Sequence, residues 1–190
     1  MRVPKLYIIA GCNGAGKTTA SYTILPEMIN CKEFVNADEI ARGLSPFQAE
    51  KVAIEAGRIM LNRIKNLIDQ KEDFAFETTL ATKSYVNYIK TAKKEGYNIS
   101  LIYFWLNTPE LAIERVRDRV KKGGHSIPKK VIKRRYSVGA KNLFQLYISL
   151  CDYWLIFNNS ENLLEIIAEG ESLTDIKISQ QEAYNKMKLL

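Results

Sequence analysis

Gly11-Cys-Asn-Gly-Ala-Gly-Lys-Thr18 is the stretch that decides how this chain folds. It satisfies the spacing G-x-x-x-x-G-K-[ST]. The glycines let the backbone curl so that its N–H groups point inward at phosphate oxygens, and the helix that follows adds a favourable dipole. Lys17 then reaches β and γ phosphates, and the Thr18 hydroxyl is placed to ligate Mg²⁺. The candidate nucleotide contacts are therefore Gly11, Asn13, Gly14, Ala15, Gly16, Lys17, Thr18 and Thr19, with ATP and Mg²⁺ as the expected cofactors. An ordinary glycine-rich turn is the alternative. The flanking sequence argues against it: Leu6-Tyr-Ile-Ile-Ala10 is a short apolar run suited to a buried strand, and Lys17 onward suits a helix.

The same alternation continues along the chain. Glu33–Ala37 offers a second strand, and Ser45-Pro46 with Gln48 reads as a capping box for a long helix. In that helix Ala49, Val52, Ala53, Ala56, Ile59, Met60, Ile64, Leu67 and Ile68 recur as a core-facing stripe. Phe74–Thr78 reads as a third strand, followed by a helix near Lys83 to Glu95 that Gly96 ends in a left-handed conformation. Ile99–Leu106 is a fourth strand. Thr108-Pro109 opens a helix that runs to Gly123-Gly124, and Pro128 starts another that turns Tyr136, Leu143, Phe144, Tyr147 and Leu150 inward. Asp152–Phe157 is a fifth strand.

Strands alternating with helices predict an α/β fold, a P-loop NTPase-type three-layer sandwich around a mostly parallel five-stranded sheet. Leu163–Ala168 and Leu173–Ile178, on either side of Gly170, are expected to form a C-terminal β-hairpin. No repeat, low-complexity tract or linker divides residues 1–190, so a single domain is expected, with a basic helical lid over about 115–135.

Composition narrows the class further. Hydrophobic residues at 46% and charged ones at 26% are ordinary for a folded globular chain. The longest apolar run, Ile99–Leu106, is far too short to span a bilayer, and the N-terminus has no room for a signal peptide. Cys12, Cys31 and Cys151 are odd in number and lack metal-ligand spacing, which fits a reducing compartment. A cytoplasmic protein is expected. The net charge of +7 is concentrated: Arg115, Arg117, Arg119, Lys121, Lys122, Lys129, Lys130, Lys133, Arg134 and Arg135 face Asp118 alone. Such a cluster beside a Gly-Gly pair points to a local polyphosphate site rather than a nucleic-acid track, the alternative being a solvated helix face.

A P-loop says that a nucleoside triphosphate binds, not what becomes of it. A regulatory GTPase needs Asn-Lys-x-Asp, and the one Asn-Lys, Asn185-Lys186, is followed by Met187-Lys188. A small-molecule kinase instead needs a carboxylate near the end of the second strand and cations over the migrating phosphoryl group. Asp38 meets the first need, unless it is only a helix N-cap. Glu77, ending the third strand, is a candidate for holding Mg²⁺ or contacting the acceptor, the alternative being an edge-of-sheet carboxylate with no ligand, and Thr78 is a candidate acceptor contact. Arg115 and Arg119, four apart on one helix, share a face and can clamp a base and phosphates, with Arg119 the catalytic candidate. Arg134 or Arg135 completes the clamp from beyond the Gly-Gly break, but adjacent side chains diverge; Arg135 is taken as an acceptor contact. His125 stands alone in a loop, with no partner for a metal site.

With these residues in view the chain resembles the zeta-toxin family of P-loop kinases, particularly its short bacterial members. The resemblance covers about residues 6 to 170 and rests on the P-loop, Asn36-Ala-Asp-Glu-Ile40, Glu77-Thr-Thr-Leu80, Gly123-Gly-His-Ser-Ile-Pro128 and Arg134-Arg-Tyr136. The P-loop is shared by many enzymes; the combination is much more specific. The resemblance implies that Lys17 binds ATP phosphates and that Asp38 is the catalytic base. Toxins of this family phosphorylate the sugar 3'-hydroxyl of UDP-N-acetylglucosamine and are restrained by an antitoxin protein, although no segment here reads as a dedicated sugar-nucleotide pocket.

The expected function is ATP-dependent transfer of the γ-phosphoryl group to a hydroxyl of a small metabolite, with a nucleotide sugar as one acceptor and an antitoxin as one partner. Two alternatives stay open. A 5'-hydroxyl nucleic-acid kinase would use similar machinery, although the localised charge disfavours it. A non-catalytic ATP-binding regulator would leave hydroxyl acceptors unmodified.

Overall fold

The computed structural model describes residues 2–124, 126–161, 163–171 and 174–190; His125 falls outside them. The sheet has seven strands: β1 Lys5–Gly11, β2 Glu33–Val35, β3 Phe74–Thr78, β4 Asn98–Trp105, β5 Tyr153–Asn158, β6 Glu165–Gly170 and β7 Ile176–Ile178. Their order is β2-β3-β1-β4-β5-β6-β7. The first five run parallel, as right-handed crossovers through helices require, and β6 and β7 join antiparallel. The expected hairpin thus exists and extends the same sheet.

Alternation along β1 divides two cores. Leu6, Ile8 and Ala10 face a cluster with Met60, Ile64 and Leu67 of helix α3 (Ala53–Gln70), Ile89 of α4 (Val86–Lys94) and Met187 of α7 (Gln181–Lys188). Tyr7 and Ile9 face the other cluster, with Leu25 beyond α1 (Lys17–Thr23) and Ala112 and Val116 of α5 (Pro109–Lys121). Helix α6 (Lys129–Asn142) gives Ile132 and Tyr136 to this second cluster, whereas its irregular continuation gives Leu143 and Tyr147 to the first. It therefore passes over the carboxyl end of the sheet, where the P-loop opens. The result is an α/β sandwich with a largely parallel sheet and the P-loop at the carboxyl end of β1.

Two expectations about the long helix need correction. Ser45 does not cap it: its N–H donates to Ala41 at 2.9 Å and closes a short helix, α2 (Ala37–Leu44). Gln48 and the 3₁₀ turn Ala49–Val52 follow, and α3 begins only at Ala53 without a side-chain cap. The stripe also narrows. Ile59 is 39% exposed because it lies a full 100° step from Met60, outside the buried arc of Ala56, Met60, Ile64, Leu67 and Ile68. Ala53 has the right phase but faces an open slot shared with Ala37, Ala41 and Ala49. Other punctuation stands where expected: Thr108 accepts the Leu111 N–H at 3.2 Å with Pro109 behind it, and Gly96 is left-handed at φ 87°. Helix α7 has no counterpart in the expected elements.

Candidate active site

The P-loop leaves β1 at Gly11, beneath Phe104, and enters α1 through Gly16. Gly14 has φ 79°, and a Cβ there would lie 2.8 Å from the Ala112 carbonyl oxygen, so both conformation and space call for glycine. Ala15 is fully buried and its N–H donates to the Cys12 carbonyl at 3.2 Å, shaping the turn from within. Lys17 is 6% exposed; its Nζ donates to the Cys12 carbonyl at 3.0 Å and lies 3.4 Å from Glu77 Oε1. The other Glu77 oxygen accepts the Thr18 hydroxyl at 2.7 Å and the Asn36 amide at 2.9 Å. One carboxylate thus gathers the lysine and threonine of the P-loop with the exit of β2. Burial pushes the Cys12 thiol up to about 11 despite the pull of Lys17, which leaves it a neutral packing group at ordinary pH.

Asn36, rather than Asp38, caps α2. Its Oδ1 accepts the N–H groups of Asp38 at 2.8 Å and Glu39 at 3.4 Å. Asp38, in the first helical turn, lines two adjoining cavities. One, of about 450 Å³, is lined by Gly14, Gly16, Lys17, Thr18 and Thr19 of the P-loop and by Arg115, Arg119 and Lys122 of the α5 region. The other, of about 210 Å³, is lined by Asn36, Thr78, Thr79, Thr82, Tyr85, Arg134 and Arg135. Asn13, Lys17, Asp38 and Glu77 line both. Thr78 also holds the turn after β3, its hydroxyl accepting the Leu80 N–H at 3.1 Å.

The basic cluster divides by location. Arg117, Lys121 and Lys133 pair on the surface with Glu114, Asp118 and Glu110, contacts of the kind that contribute little. Arg115 donates to the carbonyls of Asn159 at 2.7 Å and Ser160 at 3.0 Å. Arg119 is half-buried, and its carbonyl accepts the Gly124 N–H at 3.0 Å where α5 ends. Arg134 is exposed, whereas half-buried Arg135 donates to Asn13 Oδ1 at 3.0 Å. Burial draws the Arg135 guanidinium below its ordinary pKa, opposed by Asp38 and reinforced by Arg134.

Among the described residues, no group of three or more His, Cys, Asp or Glu side chains could by itself hold a metal ion. A nucleotide-borne Mg²⁺ does not require one, because it keeps several waters and takes phosphate oxygens with one or two protein oxygens. The Thr18 hydroxyl and Glu77 carboxylate fit that donor set. Asn36, Thr82 and Tyr85 were not among the expected site residues. An Asn at a strand exit two residues before Asp-Glu is a capping signal that identifies Asn36; nothing local marks the other two.

The family model for zeta toxin matches residues 2–164. The chain belongs to the zeta toxin family. An uncharacterized protein of Haemophilus influenzae is 32% identical over 132 residues, covering 70% of this chain and 92% of that relative. The fold also matches a chain of the AvrRxo1-ORF1:ORF2 complex solved with ATP, at a TM-score of 0.77 and 17% identity over 98% of this chain and 64% of that one. This chain therefore spans less than two thirds of that relative's length. The PezAT toxin-antitoxin structure from Streptococcus pneumoniae matches at a TM-score of 0.65 and 15% identity, over 100% of this chain and 86% of that one. Among the described residues no helix is long and apolar enough to cross a membrane.

Proposed function

We propose that this zeta-toxin family member is an ATP-dependent kinase that transfers the γ-phosphoryl group to a hydroxyl of a small metabolite. The observation that carries the reading is the meeting of two cavities at Lys17, Asp38 and Glu77. The 450 Å³ side, with the P-loop, suits the polyphosphate, and the 210 Å³ side suits the acceptor. Lys17 neutralises β and γ oxygens, and Arg119 stabilises charge on the migrating group. Asp38 takes the acceptor hydroxyl proton as the new O–P bond forms and ADP leaves. Mg²⁺, when bound through Thr18 and Glu77, offsets charge on the same phosphate oxygens. Thr78 and Arg135 orient the acceptor. Residues 1–190 act as one domain, with about 115–135 as the lid.

The family resemblance makes a nucleotide sugar the first acceptor to try. The partnered chains of the AvrRxo1 and PezAT structures support a protein partner that restrains this site. Three free, buried cysteines support a cytoplasmic setting. The test is incubation of the purified chain and Mg²⁺ with γ-labelled ATP and, in the same reaction, a metabolite extract and 5'-hydroxyl oligonucleotides. Label in one new small molecule supports the reading. Label that enters only oligonucleotide 5' ends, or no molecule at all, counts against it.

A further inference from the structure

Asn159, directly after β5, stands where three elements meet. Its backbone N–H donates to the Trp105 carbonyl at 2.9 Å, carrying the β4–β5 pairing past the end of the strand. Its side-chain Nδ2 donates to the Ala15 carbonyl at 2.8 Å, inside the P-loop. Its own carbonyl accepts Arg115 of α5 at 2.7 Å, and the other arm of the same guanidinium reaches Ser160 at 3.0 Å. The turn is braced on its far side: the Ser160 hydroxyl donates to Asn158 Oδ1 at 2.6 Å and accepts the Asn107 N–H at 2.8 Å.

The bond to Ala15 bears on the phosphate cradle because of peptide geometry. A trans peptide carries its C=O and N–H on opposite sides. Tethering the Ala15 carbonyl to Asn159 therefore turns the Gly16 N–H away from that side chain, and Gly16 is the residue at which α1 begins to offer its unpaired N–H groups. Gly16 is itself moulded to Asn159, since a Cβ there would collide with Nδ2.

We propose that Asn159 is a positioning residue of the phosphate cradle. Its amide fixes the Ala15–Gly16 peptide so that the loop's N–H groups are set for polyphosphate before nucleotide arrives, and its carbonyl ties that setting to Arg115 and the base of the lid. The inference rests on the nucleotide reading above but concerns a residue that touches the loop rather than the reacting atoms. Preset donors bind without a reorganisation cost, so loss of the tether appears as weaker polyphosphate binding.

The test compares MgATP with inorganic tripolyphosphate, by calorimetry on the full chain. Asn159→Ala removes the donor; Asn159→Leu removes it while keeping nearly the same size and adding no charge. Both variants should weaken the two probes by a common factor of about 5 to 30, the effect of losing one hydrogen bond whose acceptor is left unsatisfied. Asn158→Ala, which loosens the turn but spares the Ala15 tether, should lower thermal stability and leave both affinities alone. Amide exchange at Ala15, whose N–H is bonded to Cys12, should quicken in Asn159→Ala without any ligand.

Tripolyphosphate binding within about twofold of wild type in both variants would overturn the proposal. Loss of ATP affinity alone would reassign Asn159 to the nucleobase and overturn it too. Should the wild-type chain bind neither probe, the nucleotide reading fails, and Ala15 exchange still decides the tether: unchanged exchange overturns it, faster exchange upholds it.

Discussion

The side-chain oxygen of Asn36 accepts the backbone N–H of Asp38 at 2.8 Å, so the cap of α2 belongs to one residue and the carboxylate facing the cavities to the other. Substitution should separate the two jobs. Asn36→Ala should cost about 1 kcal/mol of stability, typical of a lost N-cap, and somewhat more because Asn36 also donates to Glu77. Asp38→Asn should change stability by no more than about 0.5 kcal/mol and lower phosphoryl transfer by about 10²-fold or more. Thermal unfolding and single-turnover transfer on both variants check this, and a stability loss in Asp38→Asn with normal turnover would return it to a capping role.

Lys17 and Glu77 form a buried ion pair at 3.4 Å. Lys17→Ala should abolish transfer and greatly weaken ATP binding, and it should also lower the melting temperature, because Glu77 is left buried with only neutral donors. Glu77→Gln should instead raise the Mg²⁺ concentration needed for half-maximal turnover. A Mg²⁺ titration that superimposes on wild type would remove Glu77 from the metal's surroundings.

Arg115 and Arg119 should behave differently. Arg119→Ala should reduce nucleotide affinity and turnover together, and Arg119→Lys should recover part of each, since an ammonium keeps the charge but loses the planar fork. Arg115→Ala should also cost stability, because the Asn159 and Ser160 carbonyls lose their donors. Wild-type kinetics in Arg119→Ala would take that residue out of the site.

Burial raises all three thiols, Cys12 and Cys31 to about 11 and Cys151 to about 12, from 9.0. Each raised pKa adds stability that is present in full below pH 9 and is lost as pH climbs through 11 to 12, because the unfolded chain ionises first. The melting temperature should therefore fall across that window. At pH 8 iodoacetamide should leave the folded thiols unmodified and label all three after unfolding; rapid labelling of the folded chain would contradict the burial.

Much of this architecture is legible in the sequence, because β1, β3, β4 and β5 are apolar runs closed by glycine, acid or turn residues, and Thr108-Pro109 is a complete helix start. The candidate site is legible where its signals are local: Gly11 closes β1, Glu77 stands next to the last residue of β3, and Asp38 follows the end of β2 by three residues. Ser45, three residues before a glutamine, matches a capping box in sequence, whereas its N–H closes the preceding helix. Asn159 carries no local signal because its side chain bonds Ala15, far away in sequence, and Tyr85 carries none because only the fold brings it to the cavity lined by Asn13 and Lys17. The basic segment could not be sorted from sequence either: helical phase groups Arg115 with Arg119, but only the fold shows Arg115 engaged with two carbonyls.

The central claim is that Asp38 serves a phosphoryl transfer for which the P-loop supplies the donor. The most direct measurement is single-turnover transfer of label from γ-labelled ATP, with Mg²⁺ and a metabolite extract, for wild type and Asp38→Asn at matched nucleotide saturation. The account predicts one labelled hydroxyl product from wild type and a rate about 10²-fold lower or worse from Asp38→Asn, with ATP affinity nearly unchanged. Equal rates from the two proteins, or ATP binding with no labelled product from either, would contradict it.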